Sequence, residues 1–227
     1  IETQGDLNKI KYCGYYLNKN LEEMIKNTKE ESELPALFEN HFQPMTLKIV
    51  WVLVCFQDFQ LVHLTSKILS TFTYYSNSIS QIIYSNPDIL NSLINLLATF
   101  SNNHQLLRGI LIIFLHLGET EEGRNTLKET TFKDYLLNTL YNTWDPIKTP
   151  LYFTEVIFEN FQKIVDESTA FESEELKKTV LKAIFRKLIP YAKYDLDENV
   201  FVMALKCIMN VMNMIGDEEN YAQFDII

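Results

Sequence analysis

The chain has 227 residues, 47% of them hydrophobic and 13% aromatic, with only 6 Gly and 6 Pro, a composition that disfavours collagen-like, disordered and turn-dense all-β classes. Thirty acidic residues against 20 basic ones give a formal net charge of −10. That balance argues against direct binding of nucleic acid or an anionic membrane, because phosphates repel a net anion. The three cysteines, Cys13, Cys55 and Cys207, are far apart and form no C-x-x-C, so they are expected to be buried thiols in a reducing compartment.

No basic start followed by an apolar run stands behind Ile1, so no secretory signal is read, and the chain is expected to be part of a longer one. The window Met45 to Phe56 is strongly apolar but contains Lys48 and falls short of the roughly 20 residues that cross a bilayer, so no membrane insertion is expected.

Apolar residues at helical spacing predict helices at about 5–29, 45–57 and 58–75, then a short one at SISQIIYS. Asn86 before Pro87 reads as an N-cap with proline in the first turn, and Leu90, Leu93, Ile94 and Leu97 carry the stripe of the helix that follows. Further helices are read at about 104–117, at EEGRNTLKET, and at about 131–143, 150–167, 173–193 and 197–215. Gly118 and Gly216 stand where a C′ glycine would end a helix.

The order long, short, long recurs. FQLVHLTSKILSTFTYYS, SISQIIYS and NPDILNSLINLLATFS are followed by HQLLRGILIIFLHLGE, EEGRNTLKET and TFKDYLLNTLYNTW, and further units begin near Pro150 and Asn199. This arrangement resembles the armadillo-repeat family, with its best-matching stretch at Asn86 to Trp144. The resemblance implies an all-α, right-handed α-solenoid superhelix. Residues 1–57 form an N-terminal helical segment that fits the repeat poorly, and 58–227 carry the repeats in one continuous domain. Solenoids need polar terminal caps, yet the sequence ends on Ile226 and Ile227, which suggests self-association or a longer solenoid.

No motif for chemistry appears. His41, His63, His104 and His116 show no zinc-ligand spacing, and there is no G-x-S-x-G or Gly-rich phosphate loop. The paired acids Glu121–Glu122 and Glu174–Glu175 sit at helix starts, where they complement the helix dipole. No enzyme activity, metal or cofactor is therefore expected. The cations Lys178, Lys182 and Arg186, with Lys177 and Lys187 alongside, form a stripe that would suit an acidic partner.

In importin-alpha-type members of the family, the third helix of a repeat carries a tryptophan and, four residues on, an asparagine that clamps the ligand backbone. The resemblance places Lys67 and Thr71, Ile112 and His116, Glu159 and Lys163, and Lys206 and Asn210 in those paired positions. Only Asn210 matches, and Trp51 and Trp144 lie elsewhere, which disfavours binding of a nuclear localisation signal. What the resemblance implies is an intracellular scaffold or adaptor, cytoplasmic or nuclear. It would bind an extended or helical protein segment of acidic or mixed charge. A regulator of a GTPase or chaperone cycle on the same solenoid is the second expectation.

Overall fold

A computed structural model describes residues 4–56, 58–166, 168–191 and 198–215. Among them every regular element is helical and no strand occurs. The chain clusters into two compact units, 1–123 and 124–227.

In the first unit, α1 (Gln4–Asn27) is followed by α2 (Leu34–Cys55), α3 (Phe59–Tyr75), α4 (Asn77–Tyr84), α5 (Pro87–Thr99) and α6 (His104–Leu117). Polar N-caps set several of these starts. Asp58, Ser76, Asn86 and Asn103 accept from the backbone N–H groups of Leu61, Ile79, Ile89 and Leu106, each satisfying a first-turn donor that has no partner within its helix.

The α2 helix starts at Leu34, earlier than the expected 45, because Pro35 occupies its first turn while Pro44 is carried inside it. Gly118 caps α6 at φ −80°, so the expected left-handed glycine stop is not used; its N–H donates to the Phe114 carbonyl at 3.0 Å. Gly216 and the pair Ile226 and Ile227 lie outside the described residues.

Helix α3 is the centre of this unit and packs against α1, α2, α4 and α6. Leu21, Leu34, Phe38, Ile68, Phe72 and Ile79 form one apolar cluster, which ties the poorly repeating N-terminal segment to the first long helix of the repeat pattern. Phe38 meets Phe72 edge-on at 6.0 Å and stacks on Tyr75 at 4.9 Å, aromatic geometries that add to the area they bury. The α3–α6 contact is close enough that a Cβ at Gly109 would lie 2.7 Å from Ser66 Oγ.

The second unit contains the end of α7 (Glu121–Lys128), then α8 (Phe132–Asn138), α9 (Leu151–Ile164), α10 (Glu174–Leu188) and α11 (Glu198–Ile215). A π-turn over Thr139–Thr143 extends α8, and α10 passes after Leu188 into a 3-10 turn at Ile189–Tyr191; residues 192 and 193 of the expected helix lie outside the described residues. Helix α11 packs on α9 and α10 through Val200, Ala204, Cys207, Val211 and Met214. By length and composition alone it is long and apolar enough to cross a membrane, at 18 residues and mean hydropathy 1.2.

Long-range side-chain bonds in both units span from 37 to 49 residues, with Ser76–Glu39 and Lys128–Asp166 among the shortest at 37 and 38. In the first, Lys11–Asp58, Lys67–Glu22 and Thr73–His116 join residues 47, 45 and 43 apart. In the second, Lys187–Tyr141, Asn210–Gln162 and Cys207–Phe158 join residues 46, 48 and 49 apart. Several of these bonds thus join helices about one expected repeat apart in sequence.

Candidate functional site

The positions expected to face a ligand fall on four helices, two in each unit, and of the eight only Lys67 and Lys206 are exposed. On α3, the 3.6-residue period places Gln60, Lys67, Thr71 and Tyr74 along one line. Gln60, Lys67 and Tyr74 are exposed, Tyr74 by 61%. Lys67 Nζ donates to Glu22 Oε1 of α1 at 2.7 Å. Hydrogen bonds from Lys67 and Asn18, with the lysine's charge, hold the Glu22 carboxyl below its ordinary range. Thr71 turns its hydroxyl back to the Lys67 carbonyl at 3.0 Å.

Ile112 and His116 on α6 are half-buried. His116 Nδ1 lies 3.0 Å from Thr73 Oγ1, and its ring is 5.3 Å from the ring of Tyr74. The first unit therefore joins Glu22, Lys67, Tyr74 and His116 into one mixed face across α1, α3 and α6.

In the second unit, Glu159 and Lys163 on α9 are half-buried and engaged within the chain, while Lys206 on α11 is exposed. Asn210 donates its amide to the carbonyls of Gln162 at 2.9 Å and Val165 at 3.3 Å. Its Oδ1 is left to accept from a ligand N–H. Asn210 also lines an open pocket of about 340 Å³ with Asp166, Ser168 and Asn213. Burial pushes the Asp166 carboxyl up, but hydrogen bonds from Lys128 and Ser168 outweigh it, and the group stays ionised below its usual range.

The cationic stripe of α10 divides. Lys178 and Arg186 are exposed opposite the buried Val180, Leu181, Ile184 and Leu188, whereas Lys182 is half-buried and engaged. Lys187 does not join them. Its Nζ donates to the carbonyls of Leu140, Tyr141 and Trp144 at 3.0, 2.7 and 3.0 Å, because the π-turn leaves those acceptors unpaired at a helix end. Desolvation there lowers its pKa.

Cys207 is buried and donates to the Phe158 carbonyl, and burial pushes its thiol up. Cys13 and Cys55 are exposed, contrary to expectation, because they fall on the outer faces of α1 and α2. Among the described residues no three His, Cys, Asp or Glu side chains are grouped to hold a metal ion.

Sequence reasoning did not single out Tyr12, Tyr15 and Tyr16, exposed together on α1, or Ile147, which is 93% exposed. Ile147 sits on a loop locked by Asp145 Oδ1, which accepts from the N–H groups of Ile147 and Lys148. The D-P sequence at Asp145 signals that turn; nothing local signals the exposure. No family model, curated protein or solved structure matches the chain.

Proposed function

We propose that the chain is a non-catalytic intracellular adaptor of the armadillo-like, right-handed α-solenoid type, which docks a partner protein segment of acidic or mixed charge. Within 58–227, bonds between helices at 43 to 49 residues, among them Thr73–His116, Lys187–Tyr141 and Asn210–Gln162, support the repeat reading beside Lys128–Asp166 at 38. The observation that carries the docking reading is the Lys67–Glu22 pair. Both groups are more than half exposed, so a ligand carboxylate can take the place of Glu22 on Lys67 without stranding a buried charge. Tyr74 beside it offers a large amphipathic surface of the kind that anchors protein interfaces. In the second unit Lys206 offers charge and Asn210 Oδ1 an acceptor for a backbone N–H.

The test is a binding screen of the full chain against arrayed unstructured peptides that differ in acidic content, followed by the variant carrying Lys67→Glu, Lys163→Glu and Lys206→Glu. Preferential retention of acidic peptides is expected, with affinity falling about tenfold or more in the folded variant and its salt dependence reduced. Failure to retain any peptide, or unchanged affinity and salt dependence in the variant, overturns the reading.

A further inference from the structure

Two ion pairs join α1 to the α3 region, and they differ in shelter. Lys11 Nζ donates to Asp58 Oδ2 at 2.7 Å, with side chains 24% and 27% exposed, and reaches Gln60 Oε1 at 3.3 Å. Lys67 Nζ donates to Glu22 Oε1 at the same 2.7 Å, but those side chains are 51% and 57% exposed. The first pair is part of the fold, since Asp58 also caps α3. The second lies open to water, so another ion can replace either partner without stranding a buried charge.

What presents Glu22 to Lys67 is local. Asn18, one turn earlier on α1, donates its amide to the same Oε1 at 2.9 Å. An exposed glutamate otherwise samples several rotamers, most of which carry its carboxylate away from a given neighbour. The asparagine bond favours the one that meets the ammonium. Neither Asn18 nor Glu22 belongs to the apolar cluster that joins Leu21 of α1 to Ile68 and Phe72 of α3. Loss of the Glu22 charge therefore leaves the packing of the two helices intact.

Lys67 is the lysine of the expected ligand line in the first unit. A carboxylate tethered in the same molecule stands at an effective concentration of about millimolar or above, with no contact made by the partner. We propose, on the docking reading above, that Glu22 is a built-in competitor: positioned by Asn18, its carboxylate occupies Lys67 in the unliganded chain and must be displaced before an acidic partner segment gains that contact. The pair is thus an autoinhibitory contact that lowers affinity for acidic segments, and Lys11–Asp58 keeps α1 in place when it opens.

The probe is fluorescein-labelled oligoglutamate, titrated with the full chain and followed by fluorescence anisotropy at low and at physiological salt. Glu22→Gln keeps the side-chain shape and an oxygen for Asn18 while removing the charge. It should bind the probe about two- to fivefold more tightly, the range that exposed ion pairs contribute, with unchanged circular dichroism. The gain should be largest at low salt. Lys67→Met should weaken binding, and in that background Glu22→Gln should gain less than about 1.5-fold, because the competitor has lost its target. An equal gain in both backgrounds overturns the proposal, since Glu22 would then only repel acidic ligands through space. So does unchanged or weaker binding by Glu22→Gln, a result that leaves the docking reading standing. Binding of the probe by neither the wild type nor Glu22→Gln removes the docking reading and the competitor together.

Discussion

Asn210 reaches across from α11 and donates its side-chain amide to the carbonyl of Gln162 near the end of α9, at 2.9 Å, with Val165 as a second acceptor at 3.3 Å. The asparagine that the repeat pattern places on a ligand line thus also fastens two neighbouring helices to each other.

Replacing Asn210 with alanine should therefore lower stability as well as any docking, by about 1 to 2 kcal/mol, because two carbonyls lose their donor. Asn210→Asp should cost more than alanine, since a carboxylate oxygen would face those carbonyls. Urea unfolding of the three proteins gives the order, and an alanine variant as stable as wild type would show the bond to contribute nothing.

The helix order was legible because its signals are local. Asn86–Pro87 announces α5, and the stripe Leu90, Leu93, Ile94 and Leu97 is buried as its spacing requires. The start of α2 was not legible, because the dense apolar run begins only at Met45, whereas the helix starts at Leu34 with Pro35 in its first turn and carries Pro44 inside it. On the candidate site the pattern gave positions but not partners. Lys178 and Lys187 belong to one run of cations, yet one is exposed and the other turns into a helix end made by residues about 45 positions earlier. Tyr74 and Tyr75 are adjacent, and only packing against Phe38 decides that Tyr75 is the sheltered one.

Lys187 should behave as a structural residue. Lys187→Met keeps the aliphatic stem and removes three charge-assisted bonds to Leu140, Tyr141 and Trp144. A loss of about 2 kcal/mol is expected, with the amides of 139–144 exchanging faster by hydrogen exchange. Arg186→Met, one position away on the exposed side, should change stability by less than about 0.5 kcal/mol. Equal effects of the two substitutions would refute the assignment.

Asp58 caps α3 by accepting from the Leu61 N–H at 3.0 Å and pairs with Lys11 at 2.7 Å. Burial pushes its carboxyl up, but the bonds from Lys11 and the backbone outweigh burial, and the net shift is downward. A lowered carboxylate pKa contributes stability above the unfolded value, about 3.9, that is lost as pH falls through the folded value. Asp58→Ala should cost about 1 to 2 kcal/mol at pH 7. Asp58→Asn should keep part of the cap, cost less, and show a shallower loss of stability below about pH 4. Acid titrations monitored by circular dichroism would contradict this if the wild type and the Asn variant ran in parallel.

Tyr135 is one of the groups that lower stability at alkaline pH. Burial raises its phenol to about 12, against which the hydrogen bond from Thr139 works only partly. In the unfolded chain the same phenol ionises near 10, so between about pH 10 and 12 the unfolded state holds fewer protons than the folded one. Stability must therefore fall as pH rises through that window, by up to about 2 to 3 kcal/mol from this residue. Buried Tyr191 and Cys207 act in the same direction, while Lys187, whose pKa burial lowers, acts in the opposite one. The separate share of Tyr135 is obtained by difference. Tyr135→Phe keeps the ring that stacks near Phe132 and should stay within about 1 kcal/mol of wild type at pH 7, yet retain more of its stability at pH 11. Urea midpoints at the two pH values measure this; a variant that loses as much stability as wild type on going from pH 7 to 11 would mean that the phenol ionises without resistance from the fold.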